Sequence, residues 1–100
     1  MLILPEIVLT PADGTLRIEG FVGGIGDGDL DATLSIVHDG AGGSATVRQG
    51  RTVVLDGGPR VSIAATALNV GPGSRLRIEL TVEAGDRVLA SSRTEIGPAD

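Results

Sequence analysis

Three acidic residues, Asp27, Asp29 and Asp31, are spaced like the first three ligands of an EF-hand calcium loop. The rest of that pattern fails, because Ala32 stands where the loop needs its glycine and His38 where it needs its bidentate glutamate. A calcium-binding β-roll also fails, since the chain holds one imperfect copy of a motif that must repeat. We therefore expect a solvated loop, no metal site and no cofactor, with weak ion binding as the alternative.

Catalytic side chains are sparse. His38 is the single histidine, and the chain has no cysteine, hence neither a thiol nucleophile nor a disulfide. The chain contains serine, histidine and aspartate, but it has no Gly-x-Ser-x-Gly motif, so a catalytic Ser-His-Asp triad is not expected. Glu79 and Glu83, four positions apart on a strand, would lie about 13 Å apart, too far for a glycosidase pair. These features predict a protein that binds and is not an enzyme.

The basic residues are all arginine, on a chain of net charge −5 with one phenylalanine and no tryptophan or tyrosine. An acidic chain without stacking aromatics is not expected to bind nucleic acid. A genome rich in G and C explains the preference for arginine over lysine but not the positions of the arginines, which are Arg17, Arg48, Arg51, Arg60, Arg75, Arg77, Arg87 and Arg93.

Turn signals recur about every eight to twelve residues between alternating apolar segments, as in β-sandwiches and barrels. A single domain over residues 1–100 is expected, with an aliphatic core, and a bulge or loop at Gly50. The pattern predicts an all-β, immunoglobulin-like antiparallel β-sandwich of about seven strands, with an eight-stranded barrel as the alternative. The predicted strands are 3–10, 15–22, 30–37, 45–55, 61–70, 75–83 and 87–96.

The last predicted hairpin can be aligned from its alternation. A three-residue turn, 84–86, keeps the apolar residues of both strands on one face, with Val82 opposite Val88. The same alignment sets Arg77 opposite Arg93 on the outer face. A two-residue turn would instead set Ile78 opposite Arg93 and bury a charge.

Three arginines therefore form a candidate binding patch on the outer face of this hairpin: Arg75, Arg77 and Arg93. Arg75 is expected opposite Glu95. The alternative is an ordinary solvated sheet face on which Glu79 and Glu95 neutralise the arginines.

Residues 68–86 read Leu-Asn-Val, a proline-containing turn, a strand alternating basic and apolar residues, and a short glycine hairpin. In that order they resemble the CsgC/CsgH family of small curli assembly proteins, and the match extends back through residues 33–37 and 7–9. CsgC carries a Cys-x-Cys where this chain has Leu30, Asp31 and Ala32. The chain therefore resembles the cysteine-free CsgH type, and no redox role is expected.

The resemblance implies an immunoglobulin-like fold, a periplasmic location and inhibition of curli subunit (curlin) amyloid formation through transient, electrostatically guided contacts. Arg75 and Arg77 match the basic positions of the family's alternating strand, whereas Arg93 joins them only through the hairpin alignment. We expect a mature form without its signal peptide, a monomer with curlin as partner, and no membrane insertion. The alternative function is a structural or adhesive immunoglobulin-like module of a surface protein.

Overall fold

The computed structural model describes residues 1–97. It confirms the all-β, immunoglobulin-like class, with antiparallel strands in two sheets. No helix within residues 1–97 is long and apolar enough to span a bilayer. The strands are β1 (Leu2–Ala12), β2 (Thr15–Ile25), β3 (Leu30–Gly40), β4 (Gly43–Val53), β5 (Val61–Asn69), β6 (Arg75–Ala84) and β7 (Arg87–Ile96).

The strands form a three-stranded sheet of order β1-β2-β5 and a four-stranded sheet of order β4-β3-β6-β7. In constant-type immunoglobulin domains the fourth strand joins the first, second and fifth, whereas here β4 pairs with β3. The two sheets are separate and each has two edges, so the barrel alternative was wrong. The larger sheet therefore offers the broader outer face.

Tight turns follow the glycine signals of the sequence. Between β1 and β2, Asp13 and Gly14 have φ values of 36° and 79°. Two left-handed residues in succession are typical of the two-residue hairpin turns whose twist matches that of the flanking strands. This turn leaves β1 and β2 paired along their full lengths.

An aliphatic core fills the space between the sheets, with no buried polar or charged residue among those described. A methyl group on Gly20 of β2 would lie 3.6 Å from the side chains of Leu34 and Leu80, so this glycine marks where the sheets meet. The largest fully buried side chains are Ile18, Val22, Leu30, Leu34, Ile36, Ile78, Leu80 and Val82.

Strand β4 is continuous through Gly50, and the expected bulge or loop there was wrong. Gly50 pairs with Thr33 without a shift of register. A side chain at Gly50 would approach the Ala32 carbonyl oxygen to 3.1 Å and the Thr33 hydroxyl to 3.2 Å. Glycine is therefore used here for a close approach between strands, not for a break.

The last hairpin also departs from the sequence prediction. Its turn has two residues, and a bulge follows, because Glu83 pairs with Val88 and Val82 with Ala90, leaving Leu89 as the extra residue. Val88, expected inside, is 60% exposed, whereas Leu89 packs against the core. The bulge reconciles the short turn with an apolar inner face.

Candidate binding surface

The outer face of the four-stranded sheet is made of alternate residues of its strands, and we name it the arginine face. Strand pairing places on it Ser44, Thr46, Arg48 and Thr52 of β4, Asp31, Thr33, Ser35, Val37 and Asp39 of β3, Arg75, Arg77, Glu79, Thr81 and Glu83 of β6, and Ser91, Arg93 and Glu95 of β7.

The hairpin arginines share one carboxylate. Arg77 lies opposite Glu95, and Arg93 opposite Glu79, so the expected Arg77–Arg93 pair was wrong. The Arg77 Nε lies 3.5 Å from the Glu95 Oε1, and the Arg93 Nη2 donates to the same oxygen at 2.7 Å. Two guanidinium groups thus contact one carboxylate oxygen, on side chains that are 52–60% exposed.

Arg75 lies at the end of the arginine face, opposite Asp39 and not opposite Glu95 as expected. The Asp39 carboxylate accepts a hydrogen bond from the Ser44 hydroxyl. Arg75 and Arg77 border an open groove of about 350 Å³. It is lined by Val37, Asp39, Arg75, Leu76, Arg77, Glu95, Ile96 and Gly97.

Arg48 is a fourth arginine of this face, and the sequence analysis missed it. Arg48, Ser35, Glu79 and Arg93 form one row across all four strands. The predicted break at Gly50 prevented any alignment of β4 with β3. The alternation of residues along 43–53 is the sequence feature that could have placed Arg48 on the outer face. Within residues 1–97, Arg48 makes no ion pair. It borders a second groove, of about 250 Å³.

The three aspartates of the calcium-like motif are not brought together. Asp27 and Asp29 are exposed in the loop before β3. Asp31 belongs to β3 and accepts a hydrogen bond from the Thr52 hydroxyl at 3.0 Å. In the part of the chain that the structure describes, no three acidic or histidine side chains form a group that could hold a metal ion.

His38 lies near the end of β3, as expected for a strand-end residue. Its Nε2 is 3.3 Å from the Ser74 hydroxyl oxygen, which also accepts the Gly71 N–H at 3.1 Å. The neighbouring Asp39 falls on the opposite face of the strand. His38 thus contacts the turn between β5 and β6 and does not join a Ser-His-Asp set.

The outer face of the three-stranded sheet pairs its arginines differently. The Arg17 Nε lies 3.2 Å from the Glu19 Oε1. Arg60 is paired with Glu6, and its guanidinium carbon lies 4.0 Å from the centre of the Phe21 ring. On this face Arg17 and Arg60 each have a carboxylate of their own, whereas on the arginine face Arg77 and Arg93 share Glu95.

No family model matches the sequence, and no curated protein does. Two solved structures share the fold. The solution structure of R. palustris CsgH matches with a TM-score of 0.69 and 18% identity, over 96% of this chain and 92% of CsgH. The E. coli curli protein CsgC matches with a TM-score of 0.72 and 15% identity, over 97% of this chain and 100% of CsgC. The resemblance is confirmed at the level of the fold.

Proposed function

We propose that this protein is a periplasmic, chaperone-like inhibitor of curlin amyloid formation that acts through transient contacts of its arginine face. The proposal is supported by a fold shared, over nearly whole chains, with CsgH and with the curli protein CsgC. The observation that carries it is that two exposed guanidinium groups, of Arg77 and Arg93, share the single carboxylate of Glu95.

An electrostatic contact suits this surface. The chain as a whole carries a net charge of −5, and the exposed guanidinium groups of Arg77 and Arg93 can attract acidic or polar segments of a client. Exposed ion pairs contribute only about 0–1 kcal/mol, so a client carboxylate can replace Glu95 at Arg77 or Arg93 at little cost. Binding of this kind is fast and reversible, as a transient inhibitor requires.

The test is the aggregation of purified curlin followed by dye fluorescence. Substoichiometric amounts of the protein should lengthen the lag phase, since interception of early aggregates needs few copies. An unrelated acidic β-sandwich domain at equal concentration serves as the control. Unchanged kinetics at an equimolar ratio would contradict the proposal.

A further inference from the structure

The four sheet edges differ in how far they can pair with another strand. Strand β1 contains Pro5 and Pro11, which lack an N–H. Strand β5 has a bulge at Ile63 and β7 one at Leu89, and bulges interrupt the hydrogen-bond pattern of an edge. Among the edges within residues 1–97, only β4 has neither a proline nor a bulge.

One end of β4 is already engaged. The Arg51 Nη1 donates to the Ser62 carbonyl oxygen of β5 at 3.0 Å, which joins the two sheets at that point. At the other end the Ser44 hydroxyl binds Asp39. Between them, residues 45–50 are exposed or half-buried and keep a regular register with β3.

We propose that curlin adds an extended strand to β4 along residues 45–50, an inference that rests on the proposed function. An edge strand presents alternating unpaired N–H and C=O groups, and the partner that satisfies such a row is another β-strand. Pairing there would occupy the backbone that curlin otherwise uses to extend its own cross-β stack.

The side chains beside this edge specify the client further. Arg48 lies on the outer side of the segment and has no ion pair within residues 1–97. It borders a groove whose other lining side chains are three hydroxyl-bearing residues and two glutamates: Thr33, Ser35, Thr81, Glu79 and Glu83. A client strand with an acidic residue among polar neighbours would pair that residue with Arg48. Arg77 and Arg93, on the other strands of the face, attract the client, and β4 holds it.

Two proline variants test the edge. Successive amides of a strand point to opposite sides, so of Thr46→Pro and Val47→Pro one removes an N–H from the open edge and the other breaks the pairing with β3. The variant that keeps the wild-type circular dichroism spectrum is assayed with curlin. We expect at least a threefold loss of inhibitory potency; wild-type potency would overturn the proposal.

Photo-cross-linking tests the same contact where neither proline variant folds. Because the chain has no cysteine, single variants Thr46→Cys on β4, Ser91→Cys on β7 and Ala67→Cys on β5, all at exposed positions, can each carry a benzophenone label. Curlin adducts should form several-fold more at position 46 than at 91 or 67. Equal yields would overturn the proposal, and so would adducts of the protein with itself at position 46.

The two proposals fail differently. A wild-type protein that leaves curlin kinetics unchanged contradicts the proposed function, and the capture by β4 with it. Inhibition by the wild type together with a fully active, folded proline variant contradicts only the capture by β4.

Discussion

The two outer faces of the sandwich use the same amino acid to opposite effect. On the three-stranded sheet Arg17 and Arg60 each have a carboxylate of their own, and Arg60 also stacks on Phe21. On the arginine face, Arg77 and Arg93 divide a single carboxylate between them. In the first arrangement each arginine is paired singly, and in the second two exposed guanidinium groups depend on one carboxylate.

The difference shows that the number of arginines on a surface does not by itself indicate a binding site. Exposed pairs add little to stability in either arrangement. What separates the faces is whether an arginine has a carboxylate of its own or shares one with a second arginine. The contrast can be tested in three ways: by weakening the core that both faces share, by reversing the arginine charges on each face, and by screening those charges with salt.

The largest expected effect is on the shared core. Leu80 is fully buried under the arginine face and lies beside Gly20 of the other sheet. Leu80→Ala should lower the free energy of unfolding by about 2–5 kcal/mol because it leaves a cavity between the sheets. Urea denaturation followed by circular dichroism measures the loss. Thr81→Ala, on the neighbouring outward position, should change it by less than about 1 kcal/mol; equal losses would contradict a common core.

The second largest effect is expected from charge reversal, which should affect inhibition on one face and not on the other. Arg77→Glu with Arg93→Glu should reduce inhibition of curlin aggregation about tenfold, equivalent to roughly 1.4 kcal/mol of contact free energy. Arg17→Glu with Arg60→Glu changes the net charge equally and should leave inhibition near that of the wild type. Adding Arg75→Glu to the first pair should deepen its loss. Equal losses in the two double variants would show that net charge, and not the arginine face, governs inhibition.

A smaller effect is expected from salt. Raising the salt concentration from 0.1 to 1 M shortens the screening length from about 10 Å to about 3 Å, so wild-type potency should fall several-fold. The Arg77/Arg93 double variant should respond less, because it has lost the charges being screened. Curlin alone at each salt concentration is the reference. An equal response of both proteins would argue against electrostatic guidance.

The smallest effect is expected from calcium. Asp31 is held in β3 by Thr52, away from a common centre with Asp27 and Asp29. Millimolar calcium should therefore move the melting temperature by less than about 1 °C, whereas a ligand that binds the native state tightly would raise it markedly. Differential scanning fluorimetry with and without a chelator makes the measurement, and a rise of ten degrees would restore the calcium site.

Alternation and turn residues were sufficient to predict the number and order of the strands, with bounds within three residues of those observed. Residues 75–83 repeat apolar and charged residues with a period of two, and that period appears as buried and exposed positions in β6. Glycine was ambiguous, because Gly50 can signal either a break or a close approach. The close approach is set by Ala32 and Thr33 on the adjacent strand, which lie far from Gly50 in the sequence.

The candidate site was predicted in part. Placing Arg75 and Arg77 on one face needs only the two-residue period of a strand, so the sequence alone could predict it. The partner of Arg93 depends on the length of the turn and on the bulge at Leu89, which local pattern does not determine. Arg48 reaches the same face only through pairing with β3, a long-range contact.

Together, the length of the β6–β7 turn and the bulge at Leu89 determine which charged residue of β6 lies opposite Arg93. A three-residue turn without a bulge and a two-residue turn with one give residues 90–96 the same inward and outward positions, because both preserve the parity of the ladder. They exchange only Val88 and Leu89 on the inner face. They differ by a displacement of two residues, which exchanges Arg77 for Glu79 as the neighbour of Arg93. Moving one residue from the bulge into the turn would thus convert an attractive pair into a repulsive one, with no substitution at any charged position.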